Sequence, residues 1–277
     1  MNPESSLGII AGEGQFPFLV ARGARSSGRS VVAVGFKGHT RPEFQSEVDH
    51  LEWLHIGQLG KLISVLTRHK VQDVVFAGGI NKPKALKLRP DLKAARLLFH
   101  IRDKSDNALL KAVVNLLTAE GFRIVGPTQI APSLSTPRGV LTRRKPTQRE
   151  KEDIAYGWPI AKEIGRLDIG QCIVVRNRMV VAVEAMDGSD ATIARAGQLV
   201  GKGSVVIKVF KPGQEEHIDQ PSVGLQTVRS MLKAEATCLA VEAEKSLFFD
   251  RQKTVHLADR SKICIVGTDV TGEPAME

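Results

Sequence analysis

Several features that mark other classes of protein are scarce or absent in this chain of 277 residues. Aromatic residues make up 5%, with one Tyr and two Trp. No helix-turn-helix, zinc-finger or RNP-type pattern occurs, so we expect no nucleic-acid partner. No run approaches the length of about 18 apolar residues that a membrane-spanning helix needs. The N-terminus lacks the basic and apolar regions of a signal peptide, so we expect a cytoplasmic protein.

Cysteine is also scarce, and its placement excludes two kinds of site. Cys172, Cys238 and Cys264 are far apart, each lies in an apolar run, and no C-x-x-C motif occurs. This pattern predicts small buried core residues rather than a disulfide framework or a zinc site. The H-E-x-x-H motif of zinc proteases and the G-x-S-x-G motif of α/β-hydrolases are absent as well.

The charge of the chain is positive and unevenly distributed. The net charge is +9, and residues 1–130, with 18 Lys and Arg against 11 Asp and Glu, carry +7 of it. Eight basic residues and two acidic ones lie between Lys82 and Lys104. Such a basic segment attracts phosphate groups or an anionic membrane surface.

The order of the predicted elements indicates an α/β protein with two domains. In the first 130 residues, strands at 7–11, 30–36, 51–56, 73–77 and 122–125 alternate with helices at 17–27, 58–69 and 105–120. Continuous apolar strands separated by helices predict a Rossmann-like parallel sheet, whose loops at the carboxyl ends of the strands bind ligands. Residues 131–146 are rich in Pro, Ser, Thr and Arg, which is typical of a linker between domains.

Residues 147–277 are predicted to form a distinct, mixed α/β domain. It begins with a helix at 147–167, for which Thr147 and Glu150 have the spacing of a capping box. Strands follow at 171–176, 179–184, 205–210, 237–241 and 263–266, with helices at 191–199, 223–234 and 251–262.

An acidic triplet at a strand-to-helix turn is the most informative local feature. Glu184, Asp187 and Asp190 follow a β-branched strand, and Gly188 and Ser189 are predicted to supply a turn and a helix N-cap. Three neighbouring carboxylates repel one another unless a cation lies among them, which suggests a Mg²⁺ site or acid–base chemistry. The alternative is a solvated turn with an acidic N-cap.

Two glycine loops follow predicted strands of the first domain. Gly12, Gly14 and Gln15 precede a helix, but Pro17 takes the place of the third glycine of a dinucleotide fingerprint, and the second strand ends without an acidic residue. The second loop carries the further candidate substrate-binding residues Gly78, Gly79, Asn81 and Lys82. We therefore expect nucleotide binding without NAD specificity; the alternative for the first loop is a plain strand-to-helix turn.

A third cluster contains the candidate catalytic residues. A predicted strand delivers Lys208 and Lys211, and the loop that follows carries Asp219 just before a helix. Lysines that hold a diphosphate, beside a carboxylate that orients water or a metal ion, suit phosphoanhydride hydrolysis. Thr192 and Thr227 complete the candidate substrate-binding residues, and Asp106, at the start of a helix, is a further candidate for metal binding or for simple capping.

These motifs, in this order, resemble the UDP-2,3-diacylglucosamine pyrophosphatases of the Mg²⁺-dependent, two-domain type, enzymes of lipid A assembly in Gram-negative bacteria. The resemblance is carried by residues 12–17, 77–83, 167–171, 182–190, 219–224 and 239–243. It implies hydrolysis of UDP-2,3-diacylglucosamine to UMP and lipid X, and a lipid site between the two domains.

The resemblance also implies roles for individual residues. Asp219 matches the essential aspartate of the family, and Glu184 and Asp190 match its E-x-x-x-G-T-D segment, in which Asp187 and Ser189 stand where Glu and Thr are usual. Residues 105–107, Ser-Asp-Asn, stand where Gly-Asp-Asp is expected, which leaves Asp106 as the ligand candidate. The implied cofactor is Mg²⁺, with Mn²⁺ or Co²⁺ as substitutes.

The expected partners are the lipidated UDP-sugar, its lipid X product and the cytoplasmic surface of the inner membrane, with a second copy of the chain as a candidate in a homodimer. Residues 86–99 form an amphipathic segment that would lie against acyl chains or, alternatively, pack on the sheet. Two other functions compete with the hydrolase: an NADP-binding oxidoreductase that uses Lys37 for the 2′-phosphate, and a non-catalytic protein that binds a sugar nucleotide or a lipid.

Overall fold

The computed structural model describes residues 6–80, 90–100, 106–212 and 220–269, without the side chains of residues 100, 106 and 107. The chain divides into two compact units, Met1–Pro132 and Ser133–Glu277. Each unit is built around its own β-sheet.

The first unit alternates strands and helices. Its elements are β1 (Leu7–Ala11), α1 (Phe16–Ser26), β2 (Val31–Phe36), β3 (His50–Leu54), α2 (Leu59–Arg68), β4 (Asp73–Ala77), α3 (Leu92–His100), α4 (Asp106–Ala119), β5 (Arg123–Ile124) and α5 (Pro127–Ile130). The described strands form a five-stranded sheet in the order β3-β2-β1-β4-β5, and all of its pairings are parallel.

The strand order of the first unit predicts where a ligand would bind. The chain runs from β1 outward to β3 on one side of the sheet and then returns to β4 on the other side of β1. In open parallel sheets, ligands bind beyond the carboxyl ends of the strands at the point where the strand order reverses. Here that point lies between β1 and β4, the two strands that precede the glycine loops.

The second unit contains a mixed sheet. Its elements are β6 (Gly139–Val140), α6 (Gln148–Arg166), β7 (Cys172–Val175), β8 (Val180–Val183), α7 (Gly188–Val200), β9 (Val205–Lys208), β10 (Ser222–Val223), α8 (Leu225–Lys233), β11 (Cys238–Glu242), β12 (Leu247–Phe248), α9 (Arg251–Arg260) and β13 (Cys264–Thr268). The described strands form a six-stranded sheet, β6-β13-β11-β9-β7-β8, in which β9, β11 and β13 are parallel and the other neighbours are antiparallel. β10 and β12 form a separate parallel pair.

Both faces of this second sheet pack against helices. Successive side chains of a strand point to opposite faces, so neighbouring strand residues belong to different core clusters. Cys172, Val174 and Val206 belong to the core cluster that includes residues of α7, α8 and α9. Ile173 and Ile207 belong to the cluster that includes α6. The helix α6 lies so close to the sheet that a Cβ atom at its Gly157 would be 2.5 Å from Ile207 Cδ1.

The predicted fold class, a Rossmann-like parallel sheet followed by a distinct mixed α/β domain, is confirmed. The capping box is confirmed as well, since Thr147 caps α6 and bonds reciprocally with Glu150. Residues 133–146, which lie in the predicted linker, are part of the second unit. There β6 pairs with β13, and Val140 and Leu141 pack against the core.

The predicted N-cap at Ser189 is wrong. The helix α7 begins at Gly188, with Asp187 at the N-cap position, so Ser189 lies inside the first turn. Its hydroxyl donates a hydrogen bond to the Glu184 carboxylate instead of capping the helix.

Candidate active site

Three side chains of the second unit lie on one face and at one edge of the sheet: Cys172, Glu184 and Lys208. Cys172 begins β7 and pairs with Lys208, the last residue of β9. The backbone N–H of Glu184, just after β8, donates to the Cys172 carbonyl. Since Val206 and Ala182 face the core under α7 and α8, the alternation of the strands places Lys208 and Glu184 on that same face.

The Glu184 carboxylate is fixed by two hydrogen bonds. Ser189 Oγ donates to Oε1 over 2.9 Å, and the backbone N–H of Gln171 donates to Oε2 over 3.1 Å. Only 8% of Glu184 is exposed. A buried charge needs such donors, so the sequence from Gln171 to Ser189 holds a carboxylate at the edge of the sheet.

The Lys208 ammonium is the buried cation of this cluster. Its Nζ donates to the Ser222 carbonyl over 2.8 Å, and the residue is 7% exposed. Burial raises the pKa of the neighbouring Cys172 thiol to about 12, and the charges of Lys208, Glu184 and Asp190 also act on that thiol. The thiol is therefore neutral near pH 7, which excludes it as a thiolate nucleophile.

The two aspartates of the triplet have different partners. Asp190, in the first turn of α7, accepts a hydrogen bond from Ser230 Oγ of α8 over 2.8 Å. Asp187 instead accepts from the backbone N–H of Ala185 and pairs with Arg195 Nη2 at 3.0 Å. The hydrogen bond from Ala185 and the pairing with Arg195 lower the pKa of the Asp187 carboxyl. Asp190 is thus bound to α8, whereas Asp187 forms an exposed ion pair with Arg195.

The other predicted residues of this unit have structural contacts of their own. Lys211 Nζ pairs with Asp168 Oδ1 at 2.8 Å. Thr192 is fully buried and donates to the Gly188 carbonyl, and Thr227 is 9% exposed in α8. Asp219 lies outside the described residues.

The donor set of the cluster suits a hard cation only in part. Carboxylate oxygens are the ligands that Mg²⁺ prefers, and Glu184 and Asp190 supply them. Within the described ranges, no group of three or more His, Cys, Asp and Glu side chains is arranged to hold a metal ion. The side chain of Asp106, like all of Asp219, lies outside what the structure describes. Among the described residues, Glu184 and Asp190 are the carboxylates available to such an ion.

The glycine loops of the first unit pack directly against each other. The N–H of Gly12 donates to the Ala77 carbonyl, and that of Glu13 donates to the Gly79 carbonyl, each over 2.8 Å. A Cβ atom at Gly12 would lie 2.4 Å from the Gly78 carbonyl oxygen, so this glycine permits contact between the loops. The close backbone approach that Gly12 permits is therefore to the other loop.

Two other glycines of these loops border open space. No atom lies within 4 Å of where a Cβ would stand at Gly14 or Gly79. Gln15 is the N-cap residue of α1 and makes no side-chain cap. Asn81 and Lys82 lie outside the described residues.

A largely buried ion pair that the sequence motifs do not indicate lies on the opposite face of the second sheet. Lys162 Nζ of α6 contacts both carboxylate oxygens of Glu242 at 2.9 and 2.7 Å, and donates to the Phe210 carbonyl. Glu242 accepts from the Phe210 N–H and is 2% exposed. This pair fixes the backbone just after β9. The signal was the acidic last residue of an otherwise apolar strand, Cys238–Glu242.

Comparisons with known proteins agree with this architecture. A model of the LpxI N-terminal domain matches residues 6–134, and a model of the LpxI C-terminal domain matches residues 137–266. A relative from Caulobacter vibrioides, described as "UDP-2,3-diacylglucosamine pyrophosphatase LpxI", is 31% identical over 279 residues, which cover 97% of this chain and 99% of that protein. The resemblance found in the sequence motifs is confirmed, and the chain belongs to the LpxI family.

Proposed function

We propose that this chain hydrolyses the diphosphate of UDP-2,3-diacylglucosamine to give UMP and lipid X, a step of lipid A biosynthesis. The observation that carries the proposal is the match to a pyrophosphatase of that substrate over nearly the full length of both chains. The buried Lys208 and the Glu184 carboxylate, which lie on one face and one edge of the sheet, agree with phosphoanhydride chemistry. No contact among the described residues favours the oxidoreductase or the non-catalytic alternative.

In this proposal Lys208 stabilises the charge that grows on the diphosphate during attack by water. A preorganised cation in a site with little water stabilises such charge strongly. The bond to the Ser222 carbonyl fixes the ammonium, so it need not reorganise during the reaction. Lys211 is the second candidate for this role, although its ammonium is shared with Asp168. Asp219 stays predicted to orient the attacking water.

The proposed cofactor is Mg²⁺, which Mn²⁺ or Co²⁺ would replace. Glu184 and Asp190 are the described residues that would hold it, and Asp106 and Asp219 stay candidates from the sequence. When bound, the ion supplies positive charge next to the phosphates. Mg²⁺ at phosphate sites is commonly bound by one or two carboxylates and by the substrate itself, and this mode agrees with the small number of acids in the described cluster. Asp187 suits the role less well because Arg195 already neutralises it.

We further propose that the protein works at the cytoplasmic surface of the inner membrane. No helix in the described ranges is both long enough and apolar enough to cross a bilayer. The helix α3 leaves Leu92 68% exposed and Phe99 88% exposed, and carries Lys93 and Arg96. Apolar side chains beside cations suit adsorption to anionic lipid. The protein is also proposed to form a homodimer. Light scattering of the purified protein tests this by measuring its molar mass in solution.

The test of the reaction is an assay of both products. Purified protein is incubated with UDP-2,3-diacylglucosamine, with Mg²⁺ or with EDTA, and UMP and lipid X are measured by mass spectrometry. Release of both in equal amounts, abolished by EDTA, supports the proposal. A folded protein that releases neither refutes it. Release of both products that EDTA does not reduce supports the hydrolysis and refutes the proposed metal cofactor. Titration with NADPH, followed by cofactor fluorescence, tests the oxidoreductase directly.

A further inference from the structure

An acidic side chain lies where the sheet order of the first unit predicts ligand binding, although the sequence lacks an acid at the expected position. In the Rossmann arrangement, an acidic residue near the end of the second strand accepts hydrogen bonds from the ribose hydroxyls of a nucleotide. Here β2 ends at Phe36 and is followed by Lys37. The structure brings Glu13, from the loop after β1, to the loop that follows β2.

The Glu13 side chain is held by a histidine of that neighbouring loop. His39 Nδ1 and Glu13 Oε1 are 2.8 Å apart. Because an ionised carboxylate only accepts hydrogen bonds, the imidazole N–H is the donor. The His39 side chain is 4% exposed, whereas the Glu13 side chain is 36% exposed. The histidine is therefore enclosed by protein, and the carboxylate that it orients still faces solvent.

The backbone on both sides of this pair is fixed as well. The Glu13 N–H donates to the Gly79 carbonyl, which anchors the residue between β1 and β4. Thr40 Oγ1, one residue after His39, donates to the Ala11 carbonyl at the end of β1 and accepts from the Phe36 N–H. Three loops at the carboxyl edge of the sheet thus hold one accessible carboxylate.

We propose that Glu13 recognises the ribose hydroxyls of a uridine nucleotide, and that His39 is the residue that positions it. A carboxylate accepts two hydrogen bonds from a vicinal diol, and it repels phosphate, which assigns it to the sugar rather than to the diphosphate. Identifying the nucleotide as a uridine nucleotide rests on the proposed function. The hydroxyl recognition does not, because it is a binding property of the first unit.

The test compares two ligands that differ only in the hydroxyls. Isothermal titration calorimetry measures binding of UDP and of 2′,3′-dideoxy-UDP to the full-length protein, to Glu13→Ala and to Glu13→Gln. In the unmodified protein we expect UDP to bind about 10- to 100-fold more tightly than the dideoxy analogue, the range for hydrogen bonds to a charged group. In Glu13→Ala the two affinities should become equal, with an intermediate preference in Glu13→Gln. Glu43→Gln, an exposed acid of the same unit, is the matched control and should keep the full preference.

Each result supports or overturns the assignment. An unmodified protein that does not discriminate between the ligands, or a Glu13→Ala variant that keeps the preference, overturns it. His39→Ala should weaken the preference while Glu13 remains, and an unchanged preference in a folded His39→Ala protein removes the positioning role. UDP lacks the glucosamine, so a preference measured with it reports ribose and not the second sugar. Hydrolysis without ribose discrimination would leave the proposed function and refute this inference; discrimination without hydrolysis would do the reverse.

Discussion

Replacing Glu150 by Gln should strongly destabilise the second unit, although the shape of the side chain is almost unchanged. The Glu150 side chain is 7% exposed and accepts hydrogen bonds from Arg144, from the Thr147 N–H and from Thr237 Oγ1 at 2.7–2.8 Å. Burial raises the pKa of Glu150, but the bonds from Arg144, Thr147 and Thr237 outweigh it and lower the pKa from 4.5 to about 2. Glutamine keeps the shape, loses the charge and turns one acceptor into a donor that faces other donors.

The lowered pKa sets the size of the effect. Lowering the pKa from 4.5 to about 2 corresponds to roughly 3 kcal/mol of stability at pH 7. This contribution is complete above the unfolded pKa of 4.5 and is lost as the pH falls toward 2. The difference in unfolding free energy between the unmodified protein and Glu150→Gln should therefore be about 3 kcal/mol at pH 7 and about 2 kcal/mol at pH 3.5.

Trp158 offers a local reporter for this measurement. It is buried in α6, and the chain has one other tryptophan, Trp53 in β3 of the first unit. In a Trp53→Phe background, urea unfolding followed by tryptophan fluorescence reports the second unit alone. Glu152→Gln, an exposed acid of the same helix, is the control and should change the free energy by less than about 0.5 kcal/mol. A Glu150→Gln variant as stable as this control, or a gap that widens at low pH, would refute the reasoning.

Three further predictions concern the site and the glycine loops. Lys208→Met should lower kcat about 100-fold or more while the protein stays folded, because the cation next to the phosphates is lost; single-turnover assays measure this, and near-normal turnover would remove the role of Lys208. Asp190→Asn should lower kcat about 10- to 100-fold and Asp187→Asn by less than about threefold, since Arg195 already neutralises Asp187; the opposite order in steady-state assays would contradict the geometry. Gly12→Ala should destabilise the first unit by about 2 kcal/mol or more, because its Cβ would collide with the carbonyl oxygens of the facing loop. Gly79→Ala, whose Cβ would have no atom within 4 Å, should cost less than about 1 kcal/mol. Urea unfolding followed by Trp53 fluorescence in a Trp158→Phe background measures both stabilities, and equal values would refute the argument.

The fold was predictable because its signals are local. Largely apolar segments such as Leu7–Ala11 and Asp73–Ala77 predicted strand bounds that the structure reproduces, and the Thr147–Glu150 spacing located the start of α6. Short elements escaped prediction. The strand β6 has two residues, and its pairing with β13 links positions more than a hundred residues apart, which no local pattern encodes.

The candidate site was predictable by residue type and only partly by arrangement. Alternation of side chains along β8 and β9 places Glu184 and Lys208 on one face of the sheet. This alternation can be predicted from the sequence. The partner of each acid depended on contacts between elements. Asp187 and Asp190 are three residues apart, yet one pairs with Arg195 of its own helix and the other with Ser230 of α8. Helix packing, rather than spacing, selected between them.

The sequence by itself determined the two-domain α/β architecture, the glycine loops and the family, because apolar periodicity, turn residues and ordered motifs are properties of the chain alone. Only the tertiary structure decided which side chains meet. It turned Gly12 toward another loop, set the Lys162–Glu242 pair behind the end of β9, and brought Glu13 to His39 at the end of β2. Such contacts join residues that are distant along the chain, and their free energy depends on burial and direction, which exist only once the sheets and helices have packed.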